Sequence, residues 1–149
     1  RMSRSFSYAL PGSMYEVSPD YGMMVQAWNI YSFAVPIIGQ FFGIQPMASE
    51  KEITIAPGMP SAWGEAQLEN VLIADNAISV FYRVEDSGKT LLKVTQEKGD
   101  WTLILSLRGA TASGVEVLRG AIEEKREEAG KVILKGRGNT IEVRYDTRE

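Results

Sequence analysis

The chain has 149 residues, 44% of them hydrophobic, enough to fill one ordinary core with a small appendage beside it. Its 19 acidic and 16 basic residues give a net charge of −3 with no basic stripe to neutralise a run of phosphates, so no nucleic-acid partner is expected. Cysteine and histidine are both absent, which removes disulfides, thiolate nucleophiles, imidazole bases and nearly all transition-metal sites; no metal and no cofactor is expected, and any chemistry falls to carboxylates, hydroxyls or lysines.

Residues 1–13 open on Arg1 and hold no apolar core of the kind a signal peptide needs, so the start is expected to be a cut within a longer polypeptide. Lack of cysteine fits a reducing compartment and also many exported bacterial proteins, which leaves cytoplasm and periplasm both open.

Residues 21–49 carry no charge, and Met23, Met24, Val25, Trp28, Ile30, Phe33, Val35, Ile37, Ile38, Phe41 and Phe42 make the segment apolar on every face. A helix of this kind must be buried all round. Its start is marked by Ser18 as a cap, Pro19 at the first helical position and Asp20 at the positive end of the dipole. Its end is marked by Gly43, a left-handed cap, with Ile44 as the hydrophobic contact. The helix is expected to pack among other helices outside this chain, and without them to self-associate or lie against the rest of the molecule. The rival reading is a membrane span over residues 22–44. Gln26, Asn29, Ser32 and Gln40 dilute the run, no Lys or Arg flanks it, and Pro36 falls in mid-span, all of which count against a membrane partner.

After Ser49 the period becomes alternating, and the remainder predicts seven or eight strands. Ile53 and Ile55 come first. Ile78, Val80, Tyr82 and Val84 share a face up to the turn at residues 85–88; Leu92 and Val94 follow, then the turn at residues 98–100. Trp101, Leu103, Leu105 and Leu107 make the strongest inward face, with Val115 and Val117 next. Glu123, Glu124, Lys125, Arg126, Glu127 and Glu128 read as a solvated turn; the two cations within it oppose a calcium site. Val132 and Leu134 are expected to pair with Ile141, Val143 and Tyr145 across a hairpin at Gly136, Arg137, Gly138 and Asn139. The fold class is α+β, one apolar helix followed by an antiparallel β-sandwich, with a boundary between 1–48 and 49–149.

Two stretches carry a resemblance. Gly12-Ser13-Met14-Tyr15-Glu16, then Gly22 and Gln26-Ala27-Trp28-Asn29, resembles the last catalytic segment of (α/α)6-barrel (six-hairpin) glycoside hydrolases, above all glucoamylases and glycogen-debranching enzymes of the amylo-α-1,6-glucosidase type. Ile53-Thr54-Ile55-Ala56-Pro57, then Pro60, Trp63 and Leu68-Glu69-Asn70-Val71, resembles the joint with which the C-terminal β domains of debranching and rhamnosidase-like enzymes begin. The resemblance implies that residues 19–42 form the final barrel helix, that the N-terminal barrel is missing, and that Glu16 is the general base of the parent enzyme. Tyr15 and Trp28 would then contact substrate. The loop from Glu16 to Gly22 is shorter than in glucoamylases, and nothing here supplies the general acid.

Inverting hydrolysis needs a carboxylic acid and a carboxylate about 6.5–9.5 Å apart, and this chain holds one half of that pair. The implied parent acts on α-glucosidic bonds of glycogen-like glucans, binding an oligo- or polysaccharide, while the fragment is inactive alone and its β domain structural. A rhamnosidase-like hydrolase and a carbohydrate-binding β module stand as alternatives, as does Glu16 serving only the helix dipole. Trp63, Tyr82, Trp101 and Tyr145 raise sugar stacking; Tyr82 and Trp101 fall on inward faces, and Trp63 reads as a wedge between β domain and barrel.

Overall fold

The computed structural model describes residues 31–32 and 34–146. By compactness the chain divides into two units, Arg1–Gly39 and Gln40–Glu149. In the first, Tyr31, Ser32, Ala34 and Val35 are α-helical; a π-helical turn, Pro36–Phe41, follows and runs across the boundary between the units. Pro36 lacks an N–H and its ring crowds the preceding turn, which is why the α-helical ladder changes pitch at that residue. Gly43 then stops the helical path at φ +64. A side chain there would lie 1.9 Å from the Ala56 carbonyl oxygen, so only glycine fits.

Eight strands make up the second unit: β1 (Ile44–Met47), β2 (Glu52–Ile55), β3 (Glu65–Ile73), β4 (Asn76–Val84), β5 (Thr90–Gln96), β6 (Thr102–Arg108), β7 (Val115–Glu128) and β8 (Lys131–Tyr145). They form one sheet in the order β1-β2-β6-β8-β5-β4-β3, with β7 paired to β8. All neighbours are antiparallel except β2 and β6, which run parallel with Ile53 opposite Leu103.

The α+β expectation is corrected on three counts. Strands take up 60% of the described residues and form a single sheet nearly closed into a barrel, where an antiparallel sandwich of two sheets is expected. Within the described residues the only trace of the expected final barrel helix is the short helical run ending at Phe41; no helix among them is long and apolar enough to cross a membrane. The hairpin expected across residues 136–139 does not form, because β8 runs unbroken through them.

The reason lies in what those glycines do. A Cβ on Gly136 would sit 2.3 Å from the Ala121 carbonyl oxygen, and Gly138 has φ +116, so both permit a sharp bend where two backbones nearly touch. Before the bend β8 pairs with β6, Arg137 to Lys131 against Thr102 to Arg108; after it, residues 140–145 pair with β5. One strand thus joins both halves of the sheet. Strand β7 follows the same corner at Gly120, φ +103, where a Cβ would meet the Thr140 carbonyl at 2.6 Å. Ten residues of straight strand would span about 33 Å, yet Lys125 Nζ donates to the Val115 carbonyl at 3.1 Å and the Ala112 N–H donates to Glu127 at 2.6 Å. The true β7–β8 turn is Ala129-Gly130, both with positive φ, the geometry of a two-residue hairpin.

The charged run 123–128 is likewise strand and not turn. Arg126 lies 3.5 Å from Glu124 and 3.8 Å from Glu128 along one side of β7. Such charges on an edge strand discourage further strand pairing.

The core is built from the alternation already evident in the sequence. Ile53, Ile55, Ile78, Val80, Leu92, Val94, Leu103, Leu105, Leu107, Leu134, Ile141 and Val143 are fully buried, each removing a side chain's apolar surface from water for roughly 1.5–3 kcal/mol. At the corner a buried amide network replaces apolar packing. Asn76 Nδ2 donates to Gln96 Oε1 at 3.0 Å, and Gln96 Nε2 donates to the carbonyls of Trp101 and Gly138, both at 2.9 Å. Asn76 Oδ1 accepts from the Lys98 N–H at 2.9 Å, while Asn139 Nδ2 donates to the carbonyls of Gln96 and Glu97. This satisfies the two buried amide side chains and fixes the β5–β6 connection against the bend of β8.

Candidate functional site

Glu16, Tyr15 and Trp28, the residues singled out for catalysis and substrate contact, lie outside the described residues, as do Ser18 and Asp20. The aromatic candidates of the β domain are placed. Trp101 and Tyr145 are buried core residues, and Tyr82 is half-buried. Burial raises the Tyr145 phenol well above the ordinary tyrosine value, with a smaller contribution from Tyr82. Trp63 is 40% exposed and meets the Phe41 ring edge-on, centroids 5.2 Å apart at 76°. Its backbone N–H is anchored on the Pro60 carbonyl.

Among the described residues no three acidic side chains gather as a metal site would require. Close to the corner, Lys51 Nζ and Asp100 Oδ2 pair at 2.7 Å; that hydrogen bond holds the Asp100 carboxyl below its ordinary range and the Lys51 ammonium above its own.

What the sequence reading missed is a groove of about 400 Å³ on the outward face of β3, β4, β5 and β8. It is assembled row by row. Gln67, Phe81, Lys93 and Glu142 lie directly opposite one another on the four strands, with Arg119 of β7 next in line. Ser79 and Thr95 form the adjoining row, and Leu91 closes the other side. At its β3 wall the ladder is broken between Leu68 and Val71, where Asn70 takes φ +56 and its N–H turns to the Ser79 hydroxyl at 3.0 Å. A bulge of this kind re-aims side chains, and here it leaves Glu69 on the rim, accepting from Gln67 Nε2 at 2.7 Å.

Phe81 is held from its neighbour's side. The Arg83 guanidinium carbon lies 5.0 Å from the ring centroid, a cation–π contact, and Arg83 is itself tied to Glu65 at 2.6 Å. Lys93 and Glu142, though opposite in charge and register, form no ion pair with each other or with any other described residue. The signal for this groove was present in the sequence: Phe81 stands on the outward phase of β4, between the inward Val80 and Tyr82.

On the outward face of the other half, a recess of about 420 Å³ is lined by Thr54, Ser106, Arg108 and Lys131.

No family model matches the sequence, and no curated protein matches it. Among solved structures, the chain superposes on the α-L-rhamnosidase of Streptomyces avermitilis, crystallised in complex with L-rhamnose, with a TM-score of 0.59 and 13% identity. The likeness is one of fold. It covers 86% of this chain and 12% of the rhamnosidase, so the chain spans a small fraction of that glycoside hydrolase.

Proposed function

We propose that the chain is a segment of a larger glycoside hydrolase of the rhamnosidase-like kind, in which the described β domain has a structural role. The observation that carries this reading is the fold shared over 86% of the chain with a segment amounting to 12% of an α-L-rhamnosidase. The joint running from Ile53 through Pro57, Pro60 and Trp63 supports it from the sequence side, since its pattern resembles rhamnosidase-like enzymes as well as debranching ones. A glucan-cleaving parent of the glycogen-debranching type is the second reading, favoured by the segment from Gly12 to Glu16.

In either parent Glu16 is the proposed general base, activating water opposite the leaving group, with the acid supplied by another part of the polypeptide. Tyr15 and Trp28 are the proposed substrate contacts. The test is turnover of the complete parent on an aryl α-L-rhamnoside and on maltooligosaccharides, before and after Glu16→Gln. Rhamnoside turnover that falls about a hundredfold to ten-thousandfold in the variant is the expected result. Turnover confined to maltooligosaccharides moves the parent to the glucan reading, and turnover untouched by the substitution removes Glu16 from catalysis.

A further inference from the structure

We infer that the outward groove of β3, β4, β5 and β8 is a saccharide-binding site that takes a neutral sugar. This goes beyond the proposed function, because binding at this face requires neither Glu16 nor catalysis.

The first observation is the pairing of an apolar platform with free polar groups. Phe81 and Leu91 are half-buried on this face beside Gln67, Ser79, Lys93 and Thr95, and Phe81 is in cation–π contact with Arg83, which is itself paired with Glu65. A pre-set ring offers its apolar surface to the C–H face of a sugar without further loss of side-chain freedom.

The second observation concerns the polar groups. Lys93 and Glu142 are half-buried and make no ion pair or side-chain hydrogen bond among the described residues, although they are register partners. Charged side chains that are partly desolvated and left unpaired have hydrogen-bonding capacity to spare: Lys93 as donor, Glu142 as a two-oxygen acceptor. Together with Gln67, Glu69, Ser79 and Thr95 they surround the ring with donors and acceptors of both kinds, the complement of a ring bearing adjacent hydroxyls.

The third observation is charge balance, which selects the ligand class. Lys93 and Arg119 on the central row are matched by Glu142 and Glu69. A strongly anionic or cationic ligand would meet a like charge within the groove, whereas an uncharged polyhydroxylated ring meets none. The opposite recess, with Arg108 and Lys131 and no acid on its wall, has the contrary character and serves as the internal control.

The experiment titrates the 149-residue chain with L-rhamnose, maltotetraose and cellotetraose, following backbone amide shifts by NMR. The expected result is saturable binding of at least one sugar at millimolar or tighter Kd, with the perturbed amides on Phe81, Lys93 and Glu142. Lys93→Met and Glu142→Gln each weaken that binding tenfold or more; both groups point outward without partners, so these variants keep the fold even if Phe81→Ala does not. Arg108→Ala leaves it unchanged. Absence of binding by every sugar up to about 10 mM, perturbations mapping elsewhere, or affinity indifferent to both Lys93→Met and Glu142→Gln would overturn the inference.

Discussion

Replacing Gln96 by methionine keeps the length and volume of a buried side chain while deleting its three hydrogen bonds, to Asn76, Trp101 and Gly138. At about 1 kcal/mol for each bond the loss is about 3 kcal/mol, and stranding the Asn76 amide and the Trp101 carbonyl in a buried site raises it toward about 5 kcal/mol. The compact unit Gln40–Glu149 is close to the size for which 1 kcal/mol moves Tm by about 4–8 °C, so a fall of roughly 12 °C or more is expected. Urea unfolding followed by circular dichroism measures the free energy directly. Asn76→Leu completes a double-mutant cycle, in which removing both amides should cost less than the sum of the single losses, since neither leaves the other stranded. A Gln96→Met loss below about 1 kcal/mol, or strict additivity in the cycle, would refute the view that the corner is held by this network.

Four further outcomes are expected. Gly136→Ala forces a methyl against the Ala121 carbonyl, a backbone atom that has nowhere to go, and should cost more than the 1–3 kcal/mol typical of overpacking (about 3 kcal/mol or above), measured by the same urea titration. Trp63→Ala should lose roughly 1 kcal/mol of edge-to-face contact with Phe41, read as a small shift in the urea midpoint. For the pair Lys51–Asp100, the depressed carboxyl contributes above its ordinary value and loses that contribution as pH falls through its folded value; the raised ammonium contributes below its ordinary value and loses it as pH rises through its folded value. Lys51→Met should therefore move the Asp100 titration, followed by carboxyl NMR, upward toward the ordinary carboxylate range. Finally, Tyr145 should stay protonated in the folded chain above the ordinary tyrosine pH, so ultraviolet titration should show its ionisation together with alkaline unfolding; its stabilising contribution is complete below the ordinary value and is lost as pH rises beyond it.

The period-two pattern was legible over most of the sheet, but Val84 and Val117, expected on inward faces, are exposed, the first at the end of β4 and the second on the edge strand β7. Ile53 and Ile55, Leu92 and Val94, and Trp101 through Leu107 all face inward as their alternation requires. Gly43 was legible too, because a left-handed stop needs a residue without Cβ. Topology was not legible, since strand pairing depends on contacts remote in sequence. Gly136 to Asn139 has the composition of a turn, and nothing local tells a turn glycine from one that lets two backbones touch. The actual turn, Ala129-Gly130, puts an alanine at φ +47, a weak local signal. The charged run 123–128 misled for a related reason: an edge strand is solvated on so much of its surface that it resembles a loop in composition. The outward groove escaped because attention to inward phases treats outward ones as surface, although an aromatic at Phe81 departs from that pattern.

Because β8 is the strand on which β5, β6 and β7 all depend, the order of synthesis acquires a consequence. It is the last described strand to leave the ribosome, and until it arrives the hydrogen-bonding edges of β5 and β6 stand open. Lys135 must reach Glu52, 83 positions earlier, to make its 2.9 Å ion pair. Distant pairings of this sort carry a large loop-closure cost before any contact rewards it, which places refolding in the millisecond-to-second range accessible to stopped-flow mixing. A nascent chain halted at Gly130 would expose two unprotected apolar strand edges, making this the stage of its life at which aggregation competes most strongly with folding.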